Sequence, residues 1–339
     1  LSRLMRELST GLAATVVILL LGVSCATQTT PISQVGVTAP ELPKAIIKHN
    51  PVSLAALMSK QLKGHDFVVG KVLATNEAYT RYYITYKSGE LTISGIMNVP
   101  KGSGPFPVLI LNHGHIDTTV YTNGRGLKRE QDYLARQGFV VIHPDFRNHA
   151  QSDKDPEAEN NFRLGYTEDS INAINAIRAA RLGYLDTNQV GMLGHSMGGG
   201  VTQNVLVVAP TLVKVAVLYA PVSGDYQDNY ERYTKRKPEV LKKLIERYGS
   251  LEDNPDFWVG ISPAARYERV QVPVQIHIGT QDESVEEVWS YTIRDRLKAL
   301  DKDVMLYEYV GEHHEFGPQW TLFMQRTSEF FKQHLKPLT

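Results

Sequence analysis

The feature that most constrains this chain is a series of short, predominantly apolar runs. Val108-Leu109-Ile110-Leu111 is one. Others lie within residues 139–142, 189–193, 213–219, 274–278 and 304–309. A strand with one wet face alternates apolar and polar residues, whereas a run apolar throughout suits a strand covered on both faces, as in a parallel sheet. Between these runs the spacing becomes helical. Residues 167–182 place Ile171, Ile174, Ile177 and Ala180 on one side, and residues 285–300 carry Val288, Trp289, Ile293 and Leu297. Alternating strand and helix units predict an α/β fold whose mostly parallel sheet has roughly eight strands and is covered by helices.

The flanks extend this plan. Residues 51–63 space Leu54, Leu57, Met58 and Leu62 as one short helix. Residues 79–86 and 91–99 read as a hairpin turning at Lys87-Ser88-Gly89-Glu90, and residues 321–335 as a final helix with Phe323, Phe330 and Phe331 facing the core. Residues 224–260 interrupt the rhythm after a buried strand. Rich in charge and tyrosine (Tyr226, Tyr230, Tyr233), they are expected to form a short cap over the carboxyl ends of the strands.

The first residues are of another kind. Arg3 and Arg6 precede an apolar stretch of about a dozen residues, too short for the roughly 20 that cross a bilayer, and small residues follow. That order predicts a signal segment over residues 1–25. Leu21-Gly22-Val23-Ser24-Cys25 resembles a bacterial lipobox, which makes Cys25 the expected lipidation site. Residues 26–50 are expected to be a tether, and 51–339 the folded domain. The expected location is the bacterial periplasm, membrane-attached through that lipid, or else secretion. Lys plus Arg and Asp plus Glu both number 36, so the chain lacks the basic excess that nucleic acid demands.

The chemistry is carried by Gly194-His195-Ser196-Met197-Gly198. An apolar strand leads into it, and Gly199-Gly200-Val201 leads out toward a helix, the context that lifts a serine onto a sharp turn. Serine needs a base to take its proton, and the base needs a carboxylate to orient it. Asp282 follows the run at 274–278, and His314 follows the run at 304–309. Glu283 is the neighbouring alternative for the carboxylate, and His313 for the base. The oxyanion donors expected are the backbone N–H groups of Met197 and His115, with Ile116 next. His113 and His115 could equally be loop residues with local hydrogen bonds. Adjacent His313, His314 and Glu315 do not have the spacing of a metal site, so no metal or cofactor is expected.

At these residues the chain resembles the α/β-hydrolase superfamily, and within it the catalytic domain of prolyl oligopeptidase-like serine peptidases of the dipeptidyl aminopeptidase and acylaminoacyl peptidase type. The segments that carry the resemblance are Leu193-Gly194-His195-Ser196-Met197-Gly198-Gly199, His277-Ile278-Gly279-Thr280-Gln281-Asp282 with Val285, and Gly311-Glu312-His313-His314-Glu315-Phe316. Leu185 to Val190 resembles the family's approach to the serine turn, and His143-Pro144-Asp145-Phe146-Arg147 its loop after a buried strand, with Arg147 in a structural role. The resemblance covers about residues 91–336 and aligns His314 with the family's catalytic histidine. It implies nucleophile Ser196, acid Asp282 and base His314, acting on peptide bonds of small substrates without the β-propeller that gates many relatives. His115, His313 and Glu315 stand where the family has glycines. A carboxylesterase acting on small acyl esters is the alternative reading, and a catalytically silent binding protein a third.

Overall fold

The computed structural model describes residues 50–335. The expected signal segment, Cys25 and all but the last tether residue lie outside them. Among the described residues no helix is long and apolar enough to cross a membrane.

In chain order the elements begin with α1 (Leu54–Ser59), β1 (Gly64–Thr75), β2 (Tyr79–Ser88), β3 (Leu91–Pro100) and β4 (Phe106–Asn112). Then come α2 (Lys128–Arg136), β5 (Val140–Pro144), α3 (Leu164–Ala180), β6 (Leu185–His195), α4 (Met197–Val208) and β7 (Val215–Tyr219). Three short helices follow, α5 (Tyr226–Asn229), α6 (Pro238–Tyr248) and α7 (Pro255–Gly260). The chain closes with β8 (Val274–Gly279), α8 (Glu287–Ala299), β9 (Val304–Tyr309) and α9 (Trp320–His334).

All the strands join one sheet of nine, in the order β1-β2-β3-β5-β4-β6-β7-β8-β9. The pairs β1/β2, β2/β3 and β3/β5 are antiparallel, and from β5 through β9 every pair is parallel. The count exceeds the expected eight because β1 is a strand its sequence does not announce. It lies at an edge, most of its residues are exposed, and its pairing with β2 shifts register at several points. An exposed, irregular edge needs no apolar alternation, so the period-two signal is missing.

The predominantly apolar runs follow from the two-sided core. Val108 and Ile110 pack on one face of β4, against Ile171, Ile174 and Ile177 of α3 and Val205 of α4. Leu109 and Leu111 pack on the other, with Leu134 of α2 and Phe323 and Phe331 of α9. Successive side chains of a strand point to opposite faces, and here both faces are dry. Arg147 is structural. It ion-pairs with Asp169 at 2.8 Å and Asp155 at 3.0 Å, tying the loop after β5 to α3.

Candidate active site

Four loops meet at the carboxyl ends of the parallel strands. They follow β4, β6, β8 and β9, and each brings one part of the site.

The loop after β6 is a single sharp turn. Ser196 sits between β6 and α4 at φ 56°, ψ −120°, a backbone state that costs a non-glycine residue on the order of 1–3 kcal/mol. The fold holds it there from both sides: the Ser196 N–H donates to the Tyr219 carbonyl at 3.0 Å, and its own carbonyl accepts from Gly199 at 2.9 Å. Glycine is required on either side for space. A Cβ at Gly194 would lie 2.1 Å from the Gly198 carbonyl oxygen, and one at Gly198 would lie 2.0 Å from that of Asn112. The result projects Ser196 at the start of α4, where unpaired backbone N–H groups and the helix dipole favour negative charge.

The loop after β8 supplies Asp282. Its side chain is inaccessible to solvent, and Oδ1 accepts the Ser284 and Val285 N–H groups at 2.8 and 2.9 Å. His314, on the loop after β9, donates from Nδ1 to Asp282 Oδ2 at 2.8 Å. That bond leaves Nε2 as the nitrogen free to accept a proton. Ser196 and His314 line one cleft of about 400 Å³, so the structure brings all three expected side chains together. The alternatives diverge. Glu283 and His313 pair with each other at 3.2 Å on the surface, both side chains 64% exposed. Glu283 touches the site only through the His314 backbone N–H, at 3.3 Å.

The loop after β4 passes against the serine. A Cβ at Gly114 would stand 3.2 Å from Ser196 Cβ, and the next residue, His115, lines the cleft with Ser196 and Met197. His113 is a buried loop residue with local bonds. Its Nδ1 faces the Gly114 carbonyl at 2.7 Å, its Nε2 faces that of Asp145 at 3.1 Å, and burial pushes its pKa down to about 4.

Some parts of the site were not singled out in the sequence. His195 stacks between Tyr219 and His314, with ring centroids 4.3 and 4.6 Å apart, and its Nε2 lies 3.2 Å from the His314 carbonyl oxygen. Burial, and then the neighbouring His314, lower its pKa to about 3, so it is neutral at ordinary pH. Buried Glu312 accepts N–H groups from Gly317, at 2.6 Å, and Gln319, bracing the histidine loop. The signal was present in both cases, since each lies inside a quoted motif. Glu159 and Arg163, which also line the cleft, had none: they sit in a loop without periodicity ahead of α3.

Part of the expected cap segment, residues 224–260, reaches the cleft. Tyr226, Asn229, Tyr233, Lys237 and Leu244 line it. The segment is anchored on Phe162, whose ring packs against Tyr226, Tyr248, Phe257 and Trp258 at 5.1 to 5.5 Å. Phe162 and Arg163 both have positive φ, 55° and 56°. This strained pair turns Phe162 into the aromatic cluster while Arg163 reaches the cleft.

A strained serine at a strand–helix turn, with a buried acid and a histidine on later loops of a mostly parallel sheet, defines an α/β-hydrolase of the serine hydrolase class. The chain belongs to the prolyl oligopeptidase family, whose pattern matches residues 125–337. Among its relatives, an uncharacterized peptidase, YtmA, of Bacillus subtilis is 24% identical over 70% of this chain and 87% of its own length. Esterase EstD of Thermotoga maritima is 23% identical over 64% of this chain, which spans only 58% of EstD. The acylaminoacyl peptidase of Pyrococcus horikoshii shares the fold with a TM-score of 0.64 at 19% identity, over 77% of this chain and 42% of that one. Peptidases and esterases therefore both stand among the proteins this chain resembles.

Proposed function

We propose that this protein hydrolyses short peptides through an acyl-enzyme on Ser196. His314 Nε2 takes the hydroxyl proton as Ser196 attacks the scissile carbonyl, and Asp282 holds the imidazole in that tautomer and steadies its positive charge. The backbone N–H groups of Met197 and His115 receive the oxyanion. Proton return from His314 releases the amine, and water, deprotonated by the same histidine, frees the acid.

The observation that carries peptide over simple ester is in the cleft wall. The carboxamide oxygens of Asn204 and Asn229, two of the lining residues, are buried without a hydrogen-bond partner. A buried acceptor left unpaired costs about 1–3 kcal/mol. A turn of either carboxamide into the cleft would let the N–H groups of a peptidic acyl chain satisfy it, where a plain alkanoyl chain would not. Capture of a peptide's amino terminus by paired acids is not the mode proposed. Among the described residues Glu159 is the one carboxylate that lines the cleft, and both its oxygens are engaged by Arg163 at 2.8 Å.

The second reading is a carboxylesterase of small acyl esters, favoured by the apolar side chains of Val201, Val222, Leu244 and Pro263 in the same cleft and by the likeness to EstD. A panel of aminoacyl amides and short peptides against short-chain acyl esters separates the two. Turnover of both classes supports the peptidase, because serine peptidases also cleave the easier ester. Turnover of esters with every amide untouched overturns it.

A further inference from the structure

The cleft carries an unbalanced positive charge. Among the described residues Arg163 and Lys237 both line it, against the single carboxylate Glu159. Glu159 engages the guanidinium through Nε and Nη2, each at 2.8 Å, while Nη1 reaches only the thioether sulfur of Met197 at 3.5 Å. Arginine has five N–H donors in a rigid fork. Two go to Glu159 and one to a weak acceptor, so the fork's outer Nη1 and Nη2 edge retains N–H groups with no oxygen opposite them among the described residues. Lys237 forms no ion pair among the described residues, and His115 is held toward its neutral form by burial. The Arg163 side chain is 26% exposed, so it is open to the cleft while Glu159 fixes its plane.

The position of this edge matters as much as its charge. Met197 adjoins the nucleophile, so the Met197 contact places the guanidinium in the part of the cleft next to Ser196. The arginine is also rigidly held. Its backbone is fixed in a left-handed turn at the start of α3, with Phe162 locked in the cap cluster before it. A part-buried guanidinium with unpaired N–H groups left on its Nη atoms suits the oxygens of a carboxylate.

We propose that Arg163, aided by Lys237, is a specificity site for a free carboxylate carried on the acyl portion of the substrate, at the end remote from the scissile carbonyl. This rests on the acyl-enzyme reading above and holds whether the leaving group is an amine or an alcohol. The matching substrates are acyl groups with an acidic side chain or a terminal acid. Glu159 serves here as a positioning residue for the arginine.

The test uses 4-nitrophenyl monoesters of adipic, pimelic and suberic acid, each beside its own methyl-capped neutral partner. For at least one chain length the free acid should have a kcat/KM about tenfold or more above the capped ester, the scale of one charge-assisted hydrogen-bonded pair. Added salt should shrink that ratio. Arg163→Gln should bring the ratio toward one, and Lys237→Gln should lower it in part. Ser196-dependent turnover in which no acid outpaces its capped partner overturns the proposal and leaves the acyl-enzyme reading standing. The wild-type ratio decides this even if Arg163→Gln fails to fold. Persistence of the full ratio in a folded Arg163→Gln also overturns it. Turnover that survives Ser196→Ala overturns the acyl-enzyme reading itself.

Discussion

The carboxylate of Asp282 takes the Nδ1–H of His314 at 2.8 Å from a position with no solvent access, across 32 residues of chain. The same carboxylate is pinned by the N–H groups of Ser284 and Val285. An acid so placed does two things for the imidazole. It selects the tautomer with Nε2 free, and it favours the imidazolium that forms when Ser196 gives up its proton.

Asp282→Asn keeps the shape and removes the charge. It should lower kcat by about 10³- to 10⁴-fold with little change in KM, because the wrong tautomer of His314 is then presented to Ser196. Steady-state kinetics on an aryl ester checks this. A loss under tenfold would mean that Asp282 does not orient the base.

Gly198→Ala puts a methyl group 2.0 Å from the Asn112 carbonyl oxygen, where backbone must move. We expect a destabilisation of about 3 kcal/mol or more and, in any folded fraction, a kcat lowered about a hundredfold as Ser196 shifts. Denaturant unfolding and active-site titration read the two effects separately. Wild-type stability would contradict the packed turn described here.

Phe162→Ala removes the ring at the centre of the cap's aromatic cluster. A buried Phe-to-Ala change costs about 3–5 kcal/mol, and here the loss should fall locally on residues 224–260. Hydrogen exchange should speed up in α6 and α7 while the sheet stays protected, and KM should rise more than kcat falls. Uniform loss of protection across the sheet would show that the segment is not a separable cap.

Acid should destabilise the fold before the carboxylates titrate. Burial holds His195 near 3 and His113 near 4, both below the ordinary value of 6.5. Between the ordinary and the lowered values the unfolded chain binds the additional protons, so stability is full above about pH 6.5 and declines as pH falls toward 4. Each histidine contributes a slope of up to about 1.4 kcal/mol per pH unit. Unfolding free energies at pH 7 and pH 5 should differ accordingly, and His113→Gln should lessen the difference. An equal slope in that variant would remove His113 as a cause.

The layered sheet was legible because both faces of β4 to β8 are largely dry, and a strand without a wet face writes its burial into a predominantly apolar run. Ser196, Asp282 and His314 were legible for a related reason. Each follows such a run at a strand's carboxyl end, and the glycines around Ser196 record a backbone crowding that no side chain tolerates. The edge strand β1 left no such trace, since solvent and bulges impose no period on its residues.

What the sequence alone determined, then, is the sheet, the turn and the order of the reacting groups, because these depend on local backbone geometry and on burial repeated along the chain. Only the tertiary structure decided what surrounds them. Arg163 and Lys237 share the cleft with Ser196 although 33 and 41 residues of chain separate them from it, and Phe162 supports a cap more than 60 residues downstream. Such pairings arise from loop packing across distant segments. They follow no period, and no spacing in the chain announces them.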